Sequence, residues 1–492
     1  MRLSSYITLI ISFLLLLGAC SSTEVVEVRE RARSIAPTAD AVLPQDEPLR
    51  IRFGETEKLR SFDPLFIHNS SSKRMAQFIY EGLTRLDENG NAAPAIASSW
   101  EVSPDSLTYT FTLRRDAFFH DTAAFSSGRG RPANPEDVVF VFHRMAAFEV
   151  PDNAGRLFAE HIRGFEAFMV QERNSYYEQD LVFEEITGIE AVDKRTVRFT
   201  LNAPYSGFAE LLASPYASVY PREAFEGSRS RSGLHSSPVG TGPFSFRNSS
   251  ADTLVTLERN FSHYDQSLVA ERVTSLEFRY FRSESSLFTA LSTGEVHIIP
   301  QIGPQTAKII LNEDLDGLSP GYIEDYRHIP TGTEHAAVSL VTTNFDRISD
   351  NRIRPVLMAL SDDEYLNQLP HSVQFSMDTE EAEETEETTP ETFTLRIGAP
   401  DDAYVTYLSG LHANILDDYD PSIFLGNFSN RDLHLFWSNS FSETDSRKHK
   451  QIAEVNISNF ALYRSTLTGL IGNGHPWWVS LSELNIRGET PS

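Results

Sequence analysis

Cysteine is nearly missing: the 492-residue chain contains one, Cys20. A single thiol cannot build an intrachain disulfide framework, a Cys-rich zinc module or a thiol redox pair. Cations are scarce beside anions, with 42 Lys and Arg against 69 Asp and Glu, and the formal charge is −27. A surface of that sign repels phosphate backbones, so nucleic acid is excluded as a general partner. After the first twenty residues no apolar run reaches the roughly 18 residues that a membrane-crossing helix needs. Catalytic signatures are lacking as well. The chain has no G-x-S-x-G elbow, no H-E-x-x-H helix and no G-x-x-x-x-G-K-[ST] loop. Its 14 His show no ligand-like spacing, so no metal or other cofactor is expected. His120-Asp121 could pair as acid and base, and His143 and Arg144 are also neighbours. A histidine among 33 Phe and 17 Tyr is, however, more often packed and hydrogen-bonded. The expectation is a protein that is not an enzyme.

What is present is the material for a large folded body. Hydrophobic residues make up 40% of the chain and aromatics 11%, which is ample for a packed core. At about 150 residues per domain, the length accommodates two or three domains. The first nineteen residues have the three-part layout of a secretory signal: basic Arg2, an apolar run from Tyr6 to Leu17, then small Gly18 and Ala19. Leu17-Gly18-Ala19-Cys20 resembles the lipobox of bacterial lipoproteins, which implies Cys20 as the lipid-attachment residue. An ordinary signal peptide that happens to contain Cys, or a buried apolar helix, is the alternative. Residues 20–47 are mainly polar, with little apolar periodicity, and read as a flexible tether.

The body, 48–492, alternates strand and helix patterns. Leu49 to Phe53 and Leu107 to Leu113 read as strands, as do Gly188 to Ala191 and Val197 to Leu201 around an Asp193-Lys194-Arg195 turn. Thr253 to Leu257 and Val273 to Phe281 read likewise. Lys73 to Leu83 has helical spacing, with Gly82 suited to a left-handed cap. Pro135-Glu136-Asp137 opens a second helix, and Ser283 to Leu291 forms another. Gly240-Thr241-Gly242-Pro243 is no dinucleotide fingerprint, because Phe244-Ser245-Phe246 continues as a strand. Trp100 is expected to pack in a lobe. Asp378 to Glu391 holds eight acidic residues and is expected to be a solvated loop.

Several motifs follow one another in order. Ser61-Phe62-Asp63-Pro64 leads to Tyr80-Glu81-Gly82-Leu83, then Pro94 to Ser103 and Leu107 to Arg114. Phe119-His120-Asp121, Asn134 to Phe140, Pro238 to Phe244, Arg259-Asn260 and Tyr264 come next. The ordered set, over roughly residues 50–360, resembles family 5 extracellular solute-binding proteins, the receptors of oligopeptide, dipeptide and nickel ABC importers. The resemblance implies an α/β, two-lobed periplasmic-binding-protein type II-like fold with an extra subdomain in the N-terminal lobe. The first lobe would span about 48–300 and the second about 301–470, with a C-terminal segment returning to the first.

By the same resemblance the chain is a monomeric receptor on the periplasmic side of a bacterial envelope. It would hold the membrane through its lipid, capture a peptide or other small solute by lobe closure, and deliver it to ABC permease subunits. Phe66, His68, Asn69, Thr241, Gly242 and Trp437 are the implied ligand-binding residues. The C-terminal third departs from the family pattern, and Ser440 stands where the oligopeptide receptors carry an acidic residue for the peptide amine. Glu443 and Asp445 are nearby substitutes. A receptor-derived surface lipoprotein with a structural or interaction role is the second reading.

Overall fold

The computed structural model describes residues 48–59, 61–67, 69–147, 150, 152–175, 185–225, 233–250, 253–312, 317–341, 371–375, 395–398, 433–438, 449–473, 475 and 477–486. The signal and lipobox, the tether, His68, the acidic run 378–391 and Ser440, Glu443 and Asp445 all lie outside these residues.

The main sheet grows from β1, Leu49–Glu55. Its alternating Leu49, Ile51 and Phe53 are all buried, as a strand with one face on a core requires. β1 runs parallel to β10, Val273–Tyr280, and to β11, Ile298–Ile299. β9, Leu254–Arg259, and β8, Phe244–Ser250, extend the β10 side as antiparallel neighbours. On the other side β11 meets β16, His449–Arg464, which pairs antiparallel along β12, Tyr326–Val341. β15, Leu433–Ser438, β14, Leu395–Gly398, and β13, His371–Phe375, complete ten strands. Neighbouring β1 and β10 are parallel, so the long stretch of chain between them must cross over.

That crossover holds a short antiparallel pair, β2, Thr84–Leu86, and β3, Ala92–Pro94, and then a larger sheet. β4, Ala97–Val102, β5, Thr108–Leu113, β7, Thr196–Thr200, and β6, Ile189–Ala191, form an antiparallel four-stranded layer in that order. Between β5 and β6 come α2, Pro135–Ala146, α3, Asp152–Ala159, and α4, Phe165–Ser175. Phe142 of α2 meets Phe158, Phe165 and Phe199 edge-on, with ring centroids 5.2, 6.3 and 5.3 Å away. This geometry favours the aromatic quadrupoles. α2 begins with a capping box in which Asn134 and Asp137 satisfy each other's backbone. The layer is the extra subdomain, inserted by topology into the first lobe. Trp100, on β4, packs within it, its ring 6.0 Å from that of Phe111 on β5.

The helix expected over 73–83 is α1, Ser70–Ile79, and it stops earlier. Its cap residue Tyr80 is extended, and Gly82 does not take left-handed backbone angles. Gly82 is required for a different reason: a Cβ there would lie 2.3 Å from the Leu212 carbonyl oxygen. α1 enters the core with a charge. Fully buried Arg74 donates to Glu55 at 2.5 Å, joining the helix to the end of β1. Burial raises the Glu55 pKa, against the pull of that guanidinium.

Candidate ligand-binding face and its buried support

Two polar constellations organise the motif residues. The first is built on Asp63. Ser61 Oγ accepts from the Asp63 N–H at 3.0 Å, and Asp63 Oδ1 accepts from the Leu65 N–H at 3.2 Å. Asp63 thereby caps a 3-10 turn, Pro64–Phe66, whose proline needs no donor partner. Arg144, in the last turn of α2, donates from Nη1 to Asp63 Oδ1 at 2.9 Å and from Nη2 to Oδ2. The same Nη1 donates to the Tyr220 hydroxyl at 2.9 Å. Asp63 is 0% exposed and the Arg144 side chain 12% exposed, so this bidentate pair is charge-assisted and well shielded.

Arg144 also organises aromatic rings. Its guanidinium carbon lies 4.4 Å from the Phe225 centroid, 5.4 Å from Tyr220 and 5.9 Å from Phe66. Phe140, one turn earlier on α2, meets Phe225 at 5.7 Å and Tyr220 at 6.2 Å. Exposed Arg222 stacks 5.1 Å above Phe140. Phe66, Phe140 and Phe225 are half-buried. The result is a rigid face of rings and guanidinium groups. Such a face can hold apolar, aromatic or anionic parts of a solute by stacking and charge-assisted bonds.

Asn69 stands beside this face as the N-cap of α1, its Oδ1 accepting from the Ser72 N–H at 2.8 Å and its Nδ2 donating to the Lys58 carbonyl at 3.4 Å. Its amide is therefore committed to the helix start.

The second constellation crosses the end of α1. Gly242 N–H donates to Ile79 O at 2.9 Å, and a Cβ at Gly240 or Gly242 would meet the Ile79 or Phe78 carbonyl oxygen at 2.0 or 2.4 Å. Only glycine permits that approach. Thr241, 1% exposed, donates its hydroxyl to Glu81 Oε2 at 2.9 Å, while Tyr264 donates to Oε1 at 2.6 Å. His263 Nε2 lies 3.2 Å from the same Oε1. Burial pushes the His263 pKa down, but the bond and charge of Glu81 outweigh it, and the net direction is upward.

His120 bonds through Nε2 to the Gly242 carbonyl at 2.9 Å. A carbonyl only accepts, so Nε2 carries the proton. Burial lowers the His120 pKa to about 4, despite that bond. Asp121 accepts from the Gly130 N–H instead. The two members of the suggested acid–base pair thus serve different partners.

Of the residues singled out from sequence, Phe66 and Asn69 sit together, while Thr241 and Gly242 belong to the buried junction under Glu81. Trp437 lies on β15 opposite Val338 of β12. His68 lies outside the described residues. Tyr220 and Phe225 are not marked by the sequence, and Arg144 and Phe140 stand there only as the neighbour of His143 and as a motif residue, not as members of a site. An arginine in the last turn of a helix rich in apolar residues, Arg144 after His143, was the available signal for a buried partner. Among the described residues no group of three or more His, Cys, Asp or Glu could hold a metal ion.

The comparisons with known proteins agree with this architecture. The family model described as bacterial extracellular solute-binding proteins, family 5 Middle, matches residues 91–354. That span exceeds half of the chain, and the protein belongs to this family. Di/tripeptide-binding protein 1 of Pseudomonas aeruginosa is 28% identical over 284 residues, 56% of this chain and 48% of the relative. Di/tripeptide-binding protein 4 of the same species is 34% identical over 174 residues, 35% of this chain and 30% of the relative. Glutathione-binding protein GsiB of Salmonella typhimurium is 26% identical over 268 residues, 54% and 45% of the two chains. The chain spans about half the length, or less, of these curated relatives.

Two solved structures share the fold over most of the chain. Peptide-bound OppA of Listeria monocytogenes superposes with a TM-score of 0.63 at 13% identity, covering 90% of this chain and 99% of that one. DppA of Helicobacter pylori in complex with the peptide STSA gives 0.62 at 16% identity, covering 89% and 98%. At these identities the likeness speaks for the two-lobed α/β fold alone.

Proposed function

We propose that this protein is the extracytoplasmic solute-binding receptor of an ABC importer and that it captures short peptides or peptide-like solutes. The observation that carries this reading is the family match over 91–354, joined to relatives named for di- and tripeptide and glutathione binding. In this reading a solute sits between the lobe built on β1 and the lobe built on β12 and β16. The proposed solute contacts are Phe66, His68 and Asn69 on one side and Trp437 on the other. Thr241 and Gly242 hold the junction that sets the first wall. Ligand binding favours the closed arrangement, and the closed form docks on permease subunits.

Residues 1–19 direct export, Cys20 carries the lipid, 20–47 form the tether, and 48–492 form the monomeric binding body. Lipid chains contribute about 0.8 kcal/mol per buried methylene, so more than one chain is needed for a stable anchor. Native mass spectrometry of protein purified from its own host tests the reading. A co-purifying peptide-sized ligand supports it. Ligand-free protein that instead carries a stoichiometric protein partner would move the assignment to the interaction-lipoprotein reading.

A further inference from the structure

A cavity of about 420 Å³ lies beneath the C-terminal segment, away from the strands assigned to the second lobe. Its walls come from 77–89, 213–218, Pro243, 267–269 and 477–482, and among the described residues none of the lining comes from β12 to β16. That volume is within the roughly 300–1,000 Å³ of small-molecule sites.

The rim is fixed on several sides. Gln77 Nε2 donates to the Trp477 carbonyl at 3.0 Å, and Asn473 Nδ2 donates to the Asp87 carbonyl at 3.0 Å. Leu481 bridges in parallel to Val269, and its carbonyl accepts from the Ala270 N–H at 2.8 Å. A cavity framed in this way is held open by the fold rather than by a guest.

Its lining combines two features. Trp477 and Trp478 are both half-buried and both face the space. The charged lining residues are Glu81, Asp87, Glu88 and Arg85, three carboxylates against one guanidinium. Arg85 is paired with Asp265 at 3.2 Å, and Glu81 is committed to Thr241, Tyr264 and His263. The remaining acids are Asp87, whose Oδ1 accepts from the Asn89 and Asn91 N–H groups at 2.9 Å, and exposed Glu88, whose Oε1 accepts from the Ser482 hydroxyl at 3.4 Å; these neutral donors leave both negative charges uncompensated. The Asn91 backbone N–H, with that of Asn89, holds Asp87 below its ordinary pKa, so it stays ionised. Indole faces beside fixed negative charge attract an organic cation and disfavour anions.

We propose that this cavity is a second small-molecule site, separate from the interlobe site, and that it takes a compact organic ammonium ion. The probe is choline, compared with its neutral carbon isostere 3,3-dimethyl-1-butanol, read by intrinsic tryptophan emission on the full folded body. Choline is expected to give a saturable change and to bind at least about tenfold more tightly than the alcohol. Glu88→Gln, at an exposed position, should weaken choline severalfold without moving the thermal midpoint. Trp478→Leu should remove the response. Saturating tripeptide should leave the choline affinity unchanged. Equal affinity for choline and the alcohol, no saturable response in folded wild type, or competition between choline and tripeptide would each overturn the proposal.

Discussion

Arg144 grips Asp63 across 81 positions of chain, with one oxygen–nitrogen contact at 2.9 Å and a second alongside it. Asp63 belongs to the loop after β1 and Arg144 to the inserted subdomain, so the pair ties the subdomain to the main sheet. Removing one partner would leave the other charge shielded and unmatched, which costs about 3–5 kcal/mol. Asp63→Ala is expected to lose stability of that order in denaturant unfolding, and Arg144→Met by a similar amount. A loss below about 1 kcal/mol in both would contradict the role given to the pair.

The glycine crossing predicts a steric effect. Gly242→Ala would place a methyl 2.4 Å from the Phe78 carbonyl oxygen, and backbone cannot yield as a side-chain tip does. A loss of about 1–3 kcal/mol is expected, the range of overpacking in a tight site. Gly128→Ala is the control for general glycine loss, because nothing lies within 4 Å of a Cβ there, although its φ of +70° adds strain of its own. A Gly242→Ala thermal midpoint no lower than that of Gly128→Ala would contradict the steric account.

Acid should weaken the fold through two buried histidines. Burial lowers His120 to about 4, and burial with the charge of Arg52 lowers His297 to about 3. Each folded pKa lies below the unfolded value near 6.5, so the unfolded state binds the extra proton. Their contribution is intact above pH 6.5 and lost as pH falls, by about 1.4 kcal/mol per pH unit for each group. It levels off near 4 for His120 and near 3 for His297. His263 has the opposite sign: its raised pKa gives stability that is full below 6.5 and lost as pH climbs through its folded value. His297→Gln should therefore show a shallower fall in unfolding free energy between pH 6.5 and 4. An unchanged slope would contradict it.

Much of the fold was legible from period and punctuation. β1, β5 and β7 alternate because one face is buried, and Pro135-Glu136-Asp137 announces α2 through its proline and acidic first turn. The end of α1 was misread because Gly82 is needed for contact with Leu212, a tertiary demand invisible to local cap chemistry. The candidate site was legible only in part. Asp63 and Tyr264 were visible as motif residues, but their partners Arg144 and Glu81 lie 81 and 183 positions away. Burial of paired charges carries no periodic signal. Local pattern therefore located the motifs but not what they bond.

In the proposed reading, membrane attachment depends on Cys20 alone. Cys20→Ala is expected to abolish fatty-acid incorporation in metabolic labelling and to leave soluble or unprocessed protein. Among the described residues no helix is long and apolar enough to cross a membrane. Undiminished lipid label in the variant would contradict the anchor.

The central claim is that the body binds short peptides, and calorimetry with one tripeptide in free and N-acetylated forms tests it most directly. The account predicts saturable one-to-one heat, weakened about tenfold by Trp437→Ala through loss of stacking and burial. On the proposed correspondence of Ser440 with the acidic anchor of the oligopeptide receptors, the acetylated form should bind nearly as tightly as the free amine. Absence of heat with di- and tripeptides, in protein whose cooperative unfolding shows it to be folded, would contradict it.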